Sequence, residues 1–233
     1  MKETTIIHGQ GVGDFLIYSE SVKNIYIPHV DKINLVYTNK NYLNSINQIY
    51  QDYKDKVQFI HISLCSGNAI DLGSQTYTFS FLLGSPYFLQ KINVKRNYEK
   101  ENEAFNCLTK SLGCDKYNII HSRTKDNCGG MMQPINYESN ISNDYPCINL
   151  DFESGDLEKY NIKFDNIFDY IKILEKAEEF HLYEGSFCHL VDRLDISGKK
   201  YCYLSCKNAK HTKYIKKLCQ SGRWHRNKWS YIL

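Results

Sequence analysis

Apolar and polar residues alternate along this chain in two periods, and the elements they predict follow one another as strand, helix, strand. Thr4-Thr5-Ile6-Ile7-His8 is a short β-type run. Gly9-Gln10-Gly11-Val12-Gly13-Asp14 comes next, then the apolar Phe15-Leu16-Ile17, which predicts a glycine loop opening into a helix. Ile33 to Tyr37 predicts a second strand. Tyr42, Ile46, Ile49 and Tyr53 mark one face of a second helix, and Val57 to Ile62 a third strand. This alternation is that of a doubly wound α/β fold with a parallel sheet. Ser66-Gly67-Asn68 and Gly84-Ser85-Pro86 read as turns, and Thr76 to Leu83 as either a strand or a buried helix.

A second half repeats the scheme. Glu99 to Ser111 predicts a helix that Gly113 stops. Tyr117 to His121 predicts a strand, with the polar loop Ser122 to Asn127 at its end. Pro146 to Leu150 and Tyr201 to Ser205 predict further strands, and Lys207 to Lys217 a helix with a solvated basic face. The apolar end, Trp229 to Leu233, is expected to dock on the body. Between these lies Glu175 to Leu194. Ile167, Ile171 and Leu174 form one helical face before it. Glu178 to Tyr183 predicts a strand, Glu184-Gly185-Ser186 a break, and Phe187, Leu190, Val191 and Leu194 an amphipathic helix with Ser186 as its N-cap. A helix start offers free N–H groups and partial positive charge, which suits a phosphate, although many strand–turn–helix units hold no ligand.

Composition narrows the classes. The 233 residues are 42% hydrophobic, enough for a sizeable core, and the formal net charge of +3 is too mild to argue for nucleic acid. No apolar run approaches the roughly 20 residues of a membrane span. Nine cysteines without a CxxC pair, and no signal peptide, point to a cytoplasmic protein with reduced thiols. Cys202, Cys206, His211 and Cys219 fit no common zinc spacing, and Asp151, Glu153 and Asp156 read as a polar loop, so no metal or cofactor is expected. The G-x-G-x-G spacing, and a second strand ending in Thr38-Asn39 without an acid, disfavour a nicotinamide enzyme. Arg123, just after a predicted strand, would serve either as a fork of donors for a pyrophosphate or as the partner of a surface carboxylate.

Three stretches agree with one family: Gly11-Val12-Gly13-Asp14 near the start, Ile120-His121-Ser122-Arg123-Thr124 in mid-chain, and Glu184-Gly185-Ser186-Phe187. The chain resembles the GT-B glycosyltransferases. The first stretch is similar to the start of heptosyltransferase-type enzymes, the second to the His-x-Arg motif of α1,6-fucosyltransferase-like enzymes, and the third lies where those enzymes cradle donor phosphates. The resemblance implies two Rossmann-like lobes with parallel sheets facing a cleft, residues 1–98 for the acceptor and 99–233 for the donor. It implies metal-independent, inverting transfer of a sugar from a nucleotide-sugar donor to a glycan or other hydroxyl acceptor. Asp14 would be the general base, with His8 as the other candidate. Gly11, Gly13, His121, Arg123, Glu184, Gly185 and Ser186 would hold the donor. The alternative is a non-catalytic sugar- or nucleotide-binding protein that keeps this fold.

Overall fold

A computed structural model describes residues 2–7, 12–72, 90–121, 140–150, 157–160, 162, 166–194, 196–204, 216–222 and 225–232; for Val12, Asp14 and Glu158 it describes the backbone alone. The chain forms two compact units, Met1–Lys95 and Arg96–Leu233. Each carries one parallel sheet, so the α/β class expected from the alternation is the one observed. No helix among the described residues is long and apolar enough to cross a membrane.

The first unit runs β1 (Glu3–Ile7), α1 (Val12–Ser21), β2 (Lys32–Tyr37), α2 (Leu43–Ile49), β3 (Val57–His61) and β4 (Ile70–Asp71). The sheet order is β3-β2-β1-β4, every pair parallel. The strand periodicity sorts its two faces. Ile6, Ile33 and Leu35 share one face and are fully buried. The opposite face carries Glu3, Thr5, Lys32, Asn34, Gln58 and Ile60 around an open groove of about 390 Å³. Parallel sheets usually read as continuous apolar strands because helices cover both faces; β1 to β3 alternate instead.

Two local readings of this unit change. The helical face from Tyr42 to Tyr53 is split, because α2 is flanked by 3-10 turns at Lys40–Tyr42 and Gln51–Tyr53. Ile46 and Ile49 are buried at its centre, while Tyr50 fills the core beside Phe59, with ring centroids 6.1 Å apart. The helix after the glycine loop also starts early, at Val12, so Gly13 and Asp14 lie in its first turn. An acidic residue there complements the positive end of the helix. Thr76 to Leu83 lies outside the described residues.

The second unit opens with α3 (Tyr98–Leu112). The Asn97 side chain accepts from the Lys100 N–H at its start, and Gly113 ends it in the left-handed region, φ 70°. Then come β5 (Asn118–His121), β6 (Cys147–Asn149), a 3-10 turn at Ile167–Tyr170, α4 (Ile171–Glu175), β7 (Glu179–Tyr183), α5 (Ser186–Arg193), β8 (Lys199–Tyr203) and β9 (Ser230–Ile232). The sheet order is β6-β5-β7-β8-β9, again all parallel. The apolar chain end thus docks as an edge strand, its backbone continuing the ladder of β8. All five residues of β7 are buried, as suits the central strand. Arg96 forks onto Glu101 and Glu175, tying the first turn of α3 to the end of α4.

The periodicity of α5 is realised, but only as half of its burial. Phe187, Leu190 and Val191 form the apolar face, and Cys188, His189, Asp192 and Arg193 on the other side are buried too. The cover is the segment after residue 224. Asp192 accepts the N–H groups of Arg226 and Asn227 and the indole N–H of Trp229.

Candidate functional site

The strand orders define where a ligand would sit. In chain order the second sheet reads 2-1-3-4-5, so its direction of growth reverses between β5 and β7. Ligands of open α/β sheets gather outside the C-terminal strand ends at such a reversal. His121 is the last residue of β5 and pairs in register with Leu182 of β7. Its ring is 5% exposed and meets the Phe187 ring edge-on, 5.1 Å between centroids. Phe187 in turn meets Tyr170 at 5.5 Å. The mid-chain strand end and the start of α5, 65 residues apart between His121 and Ser186, are therefore brought to one place.

The turn after β7 is built from Glu184 and Gly185. Gly185 is the N-cap of α5 in extended backbone, φ 169°, and makes no side-chain cap hydrogen bond. This corrects the expected role of Ser186, which is the first helical residue. The first turn of a helix has no intrahelical partner for its N–H groups, and such a turn suits an anion. Glu184 turns away toward the helix, its Oε1 3.0 Å from His189 Nε2. Glu184, Gly185 and Ser186 are all half-buried.

Of the residues expected in the first unit, Gly13 and the backbone of Asp14 lie at the start of α1. The first sheet, 3-2-1-4 in chain order, reverses between β1 and β4, and α1 follows β1. His8, Gly11 and Arg123 lie outside the described residues.

Two buried polar clusters were not foreseen. On the face of the second sheet that bears Tyr183 and Tyr203, His181 Nδ1 lies 2.9 Å from the Tyr203 hydroxyl and its Nε2 3.4 Å from Glu179, with its ring stacked on Tyr201. Burial lowers the His181 pKa and the neighbouring carboxylate only partly offsets that. Burial alone would raise Glu179, but Lys199, the Ser142 N–H and His181 outweigh it and hold the carboxyl below its ordinary value. On the opposite face, Cys188 of α5, Cys202 of β8 and His225 gather their Sγ and Nε2 atoms within 4.8 Å of one another. Burial pushes both thiols up and His225 down to about 3, the latter helped by nearby His189. The sequence signal for this pair of thiols lay in connectivity: α5 is the crossover from β7 to β8, so it packs beside the strand that carries Cys202.

Compared with known proteins, the chain matches no family model, no curated protein and no solved structure.

Proposed function

We propose that the chain is a glycosyltransferase that moves a sugar from a nucleoside-diphosphate donor to an acceptor hydroxyl. The observation that carries this reading is the start of α5, with a glycine at its N-cap, beside His121 at the reversal point of the second sheet. In such a reaction a base takes the proton of the acceptor hydroxyl, the oxygen attacks the anomeric carbon, and the bond from that carbon to the diphosphate breaks with inversion. The departing diphosphate needs donors aimed at its developing charge. The N–H groups of the first turn of α5 and the Ser186 hydroxyl supply them, with Arg123 adding a cation. Asp14 at the start of α1 is the base, and His8 is the other candidate. In this reading the first unit takes the acceptor and the second the donor.

A second reading, a sugar-binding protein without transfer, draws on the groove across β1 to β3. Amides, a hydroxyl and charged side chains line it: Asn34, Gln58, Thr5, Glu3 and Lys32. One experiment separates the two: a thermal-shift panel of nucleoside diphosphates, nucleotide sugars and free glycans, run beside transfer of a labelled sugar. Binding stabilises the folded state by mass action. Stabilisation by a nucleotide sugar together with transfer is the expected result. Stabilisation by free glycan alone replaces the first reading with the second.

A further inference from the structure

We infer that Cys188, Cys202 and His225 form a structural zinc site that staples α5, β8 and the segment leading into β9. The three side chains come from separate elements and all are buried, at 0%, 0% and 3% exposure. All three donor atoms lie within 4.8 Å of one another, and the two separations made by Cys188 are those of ligands around one ion. Cys188 Sγ lies 3.7 Å from Cys202 Sγ and 3.3 Å from His225 Nε2. A tetrahedral zinc with bonds of about 2.3 Å to sulfur and about 2.0 Å to nitrogen sets its ligands about 3.8 Å apart for two sulfurs and about 3.5 Å apart for sulfur and nitrogen.

The surroundings match the ligands. Metal-bound histidines engage their second nitrogen with a fixed partner, which sets the ring orientation. His225 Nδ1 lies 3.0 Å from the Tyr231 hydroxyl, which leaves Nε2 turned to the thiols. Tyr231 stacks on the His225 ring, and Trp229 packs at 4.9 Å. Asp192 fixes the backbone just beyond His225 by accepting from Arg226 and Asn227. These three donors fill three of the four positions of a tetrahedral zinc.

Two thiolates and one imidazole select a borderline-soft cation over magnesium or calcium. Binding releases the two thiol protons, and two thiolates neutralise the dication inside the core. Cys188 and His225 are 37 residues apart, so the ion closes a long loop and stabilises the fold that brings them together.

The full chain, purified without added metal and passed over a desalting column, is expected to hold about one zinc per molecule by elemental mass spectrometry. Chelation should lower its melting temperature, and zinc alone should restore it. Cobalt(II) in place of zinc should give the thiolate charge-transfer band and the intense visible bands of a tetrahedral site. Cys202→Ser should abolish those bands, whereas Cys65→Ser should keep them. Since Cys202→Ser removes a core group, the cobalt spectrum of the unaltered chain stands as the test even if that variant fails to fold. Less than about a tenth of an equivalent of zinc after exposure to excess zinc would overturn the inference. So would cobalt bound without a thiolate band, a band that survives Cys202→Ser, or a Cys188–Cys202 disulfide in protein made with zinc present.

Discussion

The Asp192 carboxylate accepts the indole N–H of Trp229 at 3.0 Å, and it also takes the N–H groups of Arg226 and Asn227 at 2.7 and 2.8 Å. One buried side chain on α5 thus holds the segment that covers the polar side of that helix. Asp192→Ala takes the acceptor from the buried Trp229 indole N–H and from the part-buried N–H groups of Arg226 and Asn227. The expected cost is about 3 kcal/mol or more, since hydrogen bonds to a charged group contribute about 1.5–3 kcal/mol each. Asp192→Asn keeps one oxygen and should fall between. Urea denaturation followed by tryptophan fluorescence reads both effects, and an Asp192→Ala midpoint equal to that of the unaltered chain would contradict the assignment.

Two glycines with positive φ make a matched pair. Gly113 ends α3 at φ 70°, and a Cβ built there meets nothing within 4 Å. Gly198, before β8, has φ 95°, and its Cβ would lie 3.0 Å from the carbonyl oxygens of Ala177 and Glu178 and from the Phe180 ring. Gly113→Ala should cost about 1–2 kcal/mol, the left-handed penalty alone. Gly198→Ala adds a collision with backbone that the buried strand β7 holds in place, so its cost should exceed that of Gly113→Ala by about 1 kcal/mol or more. Paired denaturation curves decide the ranking.

Among the described residues, β1 to β3, β5 to β8, α3 and α5 are elements that the alternation of apolar residues predicts, because each strand face and helix stripe is written locally in the chain, whereas Thr76 to Leu83 and most of Lys207 to Lys217 lie outside the described residues. Ile33 to Tyr37 and Val57 to His61 are strands because their inward residues alternate, and Ile46 and Ile49 are buried because they sit at helical spacing. β4 has only two residues, too few for any period. The burial of Asp192 and His189 was hidden because the cover comes from residues more than thirty positions later. The thiol and imidazole cluster obeys no motif, since its spacing of 14 residues between the two cysteines follows the crossover from β7 to β8. At the candidate site, the turn at Gly185 was legible from glycine and the restart of helical period. The proximity of His121 to Phe187 required the strand order.

Acid should destabilise the second unit through His181. Its folded pKa lies below the ordinary value of 6.5, with burial as the main cause. Below about pH 6.5 the unfolded chain binds a proton that the folded chain does not, so stability falls as pH drops, by up to about 1.4 kcal/mol per pH unit. Glu179 acts in the same direction at lower pH: its carboxyl is held below 4.5, so its contribution is present above that value and is lost as pH falls through the folded pKa. His181→Gln should lower stability at neutral pH and flatten the decline between about pH 7 and about pH 5.5. An unchanged slope would place the proton uptake on another group.

Asp14 serves one of two ends, and asparagine separates them. Asn keeps the size of the side chain but accepts no proton at neutral pH. As the base of the proposed transfer, Asp14→Asn should leave donor binding intact and lower turnover by about 10²–10⁴-fold. As an acid that only complements the helix dipole, it should cost at most about 1 kcal/mol and leave transfer unchanged. Labelled-sugar transfer, donor titration and a melting curve on the same protein give the answer, and a fully active Asp14→Asn chain would move the base role to His8.

Ser186→Asp gives the donor site its sharpest test, because it sends stability and binding in opposite directions. Ser186 is the first residue of α5, half-buried, next to a glycine that makes no cap hydrogen bond. A carboxylate in that turn interacts favourably with the helix dipole and should stabilise the fold by about 0.3–1 kcal/mol. The same charge would occupy the N–H groups proposed for the diphosphate and repel it. Charge-assisted contacts of this kind contribute about 1.5–3 kcal/mol, so affinity for a nucleoside diphosphate should fall about ten- to a hundredfold. Ser186→Ala removes only the hydroxyl and should cost less than tenfold, since a neutral hydrogen bond contributes about 1 kcal/mol. Calorimetric titration at low salt, beside thermal melting, reads both quantities. A Ser186→Asp protein that melts higher and still binds the diphosphate as tightly would put the phosphates somewhere other than the start of α5.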